Sequence, residues 1–124
     1  MITPKFVGLS ALLLVLCMLT RADAEEVNIS LLGDLSVYKA TSEEALKSLN
    51  NNDMKAVKLK LKDLETSWDA NEATLKAKSD AAWGVVDKKI DRALALVRAA
   101  KPDVGKCGEA LQALVDVFTP PTKK

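Results

Sequence analysis

The chain has 124 residues, with 18 basic and 17 acidic side chains, no histidine and two cysteines. That length holds one hydrophobic core and is too short for two domains. The near-neutral balance lacks the basic excess with which nucleic-acid binders displace counterions, and the missing imidazole removes the commonest general base.

The first element is a leader. Lys5 precedes an uncharged apolar run from Phe6 to Leu19, and Ala22-Asp23-Ala24 places small residues where a signal peptidase reads them. The spacing predicts a signal peptide over residues 1–24, cleaved after Ala24. An apolar run of about 14 residues falls short of the roughly 20 that span a bilayer as a helix, so retention as an anchor is the alternative reading. Leu14-Val15-Leu16 before Cys17 puts a bulky leucine where a lipoprotein signal carries a small residue, and Cys17 is therefore assigned to the discarded segment. Cleavage removes Lys5, Arg21 and Asp23, which leaves a mature chain of net charge zero. The compartment read from this leader is periplasmic or secreted, in a bacterium. A single cysteine, Cys107, then remains, so no disulfide forms within the chain and packing alone must hold the fold. Asn28-Ile29-Ser30 is an acceptor tripeptide that matters only in a glycosylating host.

Four apolar series with steps of three and four follow in the mature chain. The first runs through Leu31, Leu35, Tyr38, Ser42, Ala45 and Leu49, with Gly33 weakening its first turn. An alternative start lies near Thr41, which has the capping-box spacing to Glu44. The second takes in Met54, Val57, Leu61, Leu64, Trp68, Asn71 and Leu75, all on one face of a single helix. The third is Trp83, Val86, Ile90, Ala93, Val97 and Ala100, widened by Leu94. The fourth is Val104, Cys107, Leu111, Leu114 and Phe118. Asn50-Asn51-Asn52-Asp53, Ser79-Asp80 and Lys101-Pro102-Asp103 punctuate the series, with Asp53, Ser79-Asp80 and Asp103 as N-caps. Pro120-Pro121 ends the last helix.

Connections this short turn neighbouring helices antiparallel. The expected fold is all-α, an antiparallel up-down four-helix bundle over residues 25–118 with a polar tail over 119–124. The alternative is a three-helix bundle preceded by an N-terminal arm.

Few side chains carry chemistry. Trp68 and Trp83 are expected to fill one core, level with Ile90 and Leu75 respectively, or else to wall a ligand groove. Asn71 stands in an apolar stripe one turn after Trp68. A buried amide there needs a partner, and Asp87 on the facing helix is placed to accept from it. An Asn in the stripe would also fix helix register. The ligand-binding candidates are therefore Trp68, Asn71, Trp83 and Asp87. Glu65, Asp69 and Glu72 line one flank of the second helix, and Asp87 and Asp91 lie a turn apart on the third. Three of these converging would hold a hard cation, whereas the interspersed Lys62, Lys76, Lys88 and Lys89 favour solvated faces. Cys107, in the last apolar series, reads as a buried free thiol; were it exposed, it would link two copies as a homodimer. Phosphate loops, Cys-x-x-Cys pairs and zinc-protease helices are missing from the sequence, so neither a catalytic residue nor a cofactor is assigned.

A signal peptide, about 100 mature residues and a cysteine in the last helix resemble the exported four-helix cytochromes of bacteria, and Trp68 to Arg98 looks like small extracytoplasmic helical domains of bacteria with no assigned role. The resemblance implies the fold alone. Haem needs a histidine ligand, and the attached type needs Cys-x-x-Cys-His, where this chain has Cys107-Gly108-Glu109-Ala110-Leu111. The expected function is that of a non-enzymatic exported protein binding an envelope partner or a small ligand, accessory to an envelope or uptake system. The alternatives are a structural or chaperone-like envelope protein and a carboxylate metal-binding protein.

Overall fold

A computed structural model describes residues 27–121. The leader with its cleavage point, Cys17, and residues 122–124 of the tail lie outside these residues. The described chain is helical, as the all-α expectation requires. A 3-10 turn, Ile29–Leu32, precedes α1 (Ser36–Asn50), α2 (Met54–Ala70), α3 (Glu72–Lys78), α4 (Asp80–Val97) and α5 (Val104–Phe118).

Helix starts follow the caps read from the sequence. Asp53 accepts from the Ala56 N–H at 3.0 Å, Ser79 Oγ from Ala82 at 3.1 Å, and Asp103 from Lys106 at 3.0 Å. Each satisfies a donor that the first turn of a helix leaves free. The stop of α1 is equally local. Asn52 takes φ 58°, and the N–H groups of Asn52 and Asp53 donate back to the Leu49 and Ser48 carbonyls at 2.9 Å. This is a Schellman closure with asparagine in the left-handed position that favours glycine.

The first helix departs from its predicted stripe. Leu31 lies in the 3-10 turn and is 56% exposed, while Leu32 beside it is buried. Gly33, at φ 89°, closes that turn and breaks the helical path, so α1 begins at Ser36. The alternative start at Thr41 is not used, because Thr41 Oγ1 donates to the Val37 carbonyl inside α1. Ser42, the interruption in the stripe, is fully buried and donates to the Tyr38 carbonyl at 2.9 Å. A hydroxyl satisfied by its own helix can replace an apolar side chain at such a position.

The second predicted helix is two. Asn71 is an exposed joint between α2 and α3, with its N–H donating to the Trp68 carbonyl at 3.2 Å, and Leu75 on α3 still reaches the core. Ala100, given to the third stripe, lies past the end of α4, and Val104 at the start of α5 is 56% exposed.

α1 packs against α2 and α5, and α4 packs against α5, α2 and the short α3. The 3-10 turn lies on α3 and α4. Between these helices sits a core whose largest fully buried members include Trp68, Leu61, Leu64, Ile90, Leu111 and Leu114. Removing side chains of this size from water stabilises the fold by about 1.5–3 kcal/mol each, before the entropy of ordering them is counted. Among the described residues no helix is long and apolar enough to cross a membrane.

Candidate functional site

The helix directions bring the aromatic residues of the described chain together. Tyr38 lies near the start of α1, Trp68 near the end of α2, Trp83 near the start of α4, and Phe118 closes α5. Trp68 is fully buried at the centre. Its ring stacks on Trp83 with centroids 6.2 Å apart and planes 10° from parallel, meets Tyr38 edge-on at 5.3 Å, and meets Phe118 at 6.2 Å. Phe118 also lies 5.7 Å from Tyr38. Edge and offset contacts at these spacings add to simple burial because the positive ring edge faces a negative ring face.

The polar atoms of the cluster are paired differently from the sequence expectation. Trp68 Nε1 donates to Asp87 Oδ1 at 3.2 Å. Asn71 does not turn to Asp87. Its Nδ2 donates to the Tyr38 hydroxyl at 2.9 Å and to the Ser67 carbonyl at 3.0 Å, because the break at Asn71 carries it out of the stripe to the rim. Trp83 is half-buried. Its Nε1 is shielded from solvent and has no hydrogen-bond partner among the described residues, while Lys76 Nζ lies 4.4 Å from the ring centroid. Trp68 meets both Trp83 and Asp87 on α4. Burial pushes the Asp87 carboxyl up from its usual range, and Asp91 adds to the shift; the Trp68 hydrogen bond opposes both. A proton at Asp87 is thus held more tightly than at a surface aspartate.

The carboxylate candidates do not become a cation site. Glu65 pairs with Arg98 at 3.0 Å across the helices, and Glu72 pairs with Lys76 at 2.9 Å within α3. Among the described residues no group of three or more metal-ligating side chains is placed to hold an ion, so no three of Glu65, Asp69, Glu72, Asp87 and Asp91 converge. Cys107 is fully buried and free, and burial raises its pKa, which disfavours the reactive thiolate.

One concave site adjoins the aromatic cluster. A cleft of about 240 Å³ opens between the stretch from Ile29 to Lys39 on one side and the end of α5, from Val117 to Pro121, on the other. Ile29, Leu35, Val117, Phe118, Pro120 and Pro121 supply its apolar wall; Ser30, Asp34, Ser36, Lys39 and Thr119 supply polar groups. Asp34 Oδ1 accepts from the Ser36 N–H at 2.9 Å, and hydrogen bonds from Ser36 hold the Asp34 carboxyl below its usual range. None of Trp68, Asn71, Trp83 and Asp87 lines the cleft. Phe118 is the link, since it forms part of the wall and touches Trp68 and Tyr38. Sequence reading missed the cleft because it is made by two segments far apart in the chain, and the stripe positions Leu35 and Phe118 do not show that these segments meet. The visible signals were Gly33, which breaks the first series, and Pro120-Pro121, which turns the chain away after Phe118.

No family model, no curated protein and no solved structure matches this chain.

Proposed function

We propose that this is an exported, non-enzymatic protein, an up-down antiparallel four-helix bundle that binds a small ligand in the cleft at its aromatic end. The bundle reading is supported by the ring of contacts among α1, α2, α4 and α5 and by their opposed directions: Tyr38 at the start of α1 meets Phe118 at the end of α5, and a Cβ on Gly108 would meet Leu49 at 3.6 Å. Export is supported by the leader pattern of residues 1–24. The observation that carries the binding reading is the cleft itself, lined by an apolar wall with a few polar groups, which is the usual composition of a small-molecule site.

Thermal melts of the full chain, expressed in an exporting host and followed by tryptophan emission, test it against a panel of small apolar and amphipathic compounds. A compound that binds only the folded state raises the midpoint, and through Phe118 it alters the environment of Trp68. An unchanged midpoint and emission across the panel counts against a ligand site. The second reading, an envelope protein that interacts through an exposed face, is favoured by Leu31 and Val37, which are 56% and 69% exposed on either side of the cleft-lining segment Gly33 to Ser36. Accessory work for an envelope or uptake system is compatible with either.

A further inference from the structure

The cleft carries two opposite charges that do not neutralise each other. Asp34 and Lys39 both line it, yet the ion pairs among the described residues are Lys60 with Glu44, Lys76 with Glu72 and Arg98 with Glu65. Asp34 is fixed beside the cleft by its bond to the Ser36 N–H, and an ionised carboxylate has about four acceptor positions, so it can take further donors. Lys39, one turn into α1, is half-buried and offers up to about three donors.

We propose that the cleft binds a small zwitterion, an α-amino acid with an apolar side chain. Its ammonium lies on the Asp34 side, its carboxylate on the Lys39 side, and its side chain against Leu35, Val117 and Phe118. The proposal rests on the reading of the cleft as a ligand site. A lone anion would meet Asp34 and a lone cation would meet Lys39. A neutral apolar molecule would use neither charge, leaving the exposed Asp34 and the half-buried Lys39 unpaired at the cleft. Size points the same way. At about 240 Å³ the cleft is smaller than the roughly 300–1,000 Å³ typical of drug-sized ligands.

The test is a calorimetric titration of the full chain, purified as an exporting host releases it, with four compounds that share one apolar body. These are leucine, isocaproate (leucine without its ammonium), isopentylamine (leucine without its carboxylate) and isohexanol (neither charge). Valine, methionine and phenylalanine extend the series of side chains. Apolar amino acids are expected to bind, and loss of either charged group from leucine is expected to weaken binding roughly tenfold, the effect of one charge-assisted hydrogen bond. In K39Q, leucine should fall to the level of isopentylamine. In D34N, which keeps an amide oxygen for the Ser36 N–H and so keeps the turn, leucine should fall to the level of isocaproate. Isocaproate, isopentylamine or isohexanol binding as tightly as leucine would overturn the zwitterion and leave the ligand cleft standing. Absence of binding by any of the compounds would overturn both.

Discussion

The two ends of the helical body are built from different materials. Where α1 and α4 end and α2 and α5 begin, the buried residues are Leu49, Val57, Val97, Cys107 and Ala110, all small or aliphatic, and the connections are closed by the Asn52 turn and the Asp53 and Asp103 caps. At the opposite end sit all the described aromatic rings, a tryptophan bonded to a carboxylate, a second tryptophan whose Nε1 has no partner among the described residues, a broken helix and the cleft. An aliphatic end with its polar groups satisfied by local turns serves stability. The opposite end combines half-buried polar atoms with a concavity between Ile29 to Lys39 and Val117 to Pro121, and it is the end to which the proposed ligand binding is assigned.

Substitutions can break or sharpen this contrast. The largest effect is expected at the aromatic centre. Trp68→Ala removes a fully buried indole and its bond to Asp87, and should lower the stability in denaturant melts by about 3–5 kcal/mol. A loss near 1 kcal/mol would mean that the end collapses freely around the gap. At the aliphatic end, Cys107→Ser places a hydroxyl in a fully buried apolar position and should cost about 1–3 kcal/mol. The native thiol should be inert to an aromatic disulfide reagent until the chain is unfolded, and rapid labelling of the folded protein would show that this end opens.

The smallest effect concerns Asp87 and has a sign set by pH. Its carboxyl is raised in the folded state by burial and by Asp91. The stabilising contribution of the protonated group is therefore complete below the unfolded pKa, about 3.9, and is lost as pH rises through the raised folded value. Asp87→Asn retains an oxygen for Trp68 Nε1 and carries no charge. Its advantage over the native chain should grow between about pH 3 and pH 7, staying under about 1 kcal/mol because Asp87 is only partly buried. An advantage that shrinks over that range would contradict the account of the Trp68–Asp87 contact.

The aliphatic end was far more legible in the sequence than the aromatic one. Caps are local, so Asp53 and Asp103 could be assigned from neighbouring residues alone, as could Ser79 at the aromatic end, and the core positions of Val57, Leu61, Ile90, Val97, Leu111 and Leu114 follow from period 3.6. Periodicity misled where the chain changes direction without losing step. Asn71 continues the three-and-four spacing, yet it is a joint, and the stripe survives because α3 resumes after one residue. The first series likewise counts Leu31 where the 3-10 turn buries Leu32, since a tighter turn rotates side chains away from the α-helical phase. Both tryptophans were placed in or near the core by pattern, whereas the partner of each indole depends on the relative rotation of two helices, which no single stripe encodes. The cleft depends on residues near position 34 meeting residues near position 118, and its local signals, Gly33 and Pro120-Pro121, mark only where each segment leaves its helix.

The claim that recognition belongs to the aromatic end is tested most directly by mapping backbone amide shifts of the isotope-labelled full chain by NMR during titration with leucine. Shifts concentrated at Leu35, Lys39, Val117 and Phe118, with smaller ones passing to Trp68 and none around Cys107, are the predicted result. Shifts centred on the Cys107 end, or no shifts at all with any apolar amino acid, would contradict it.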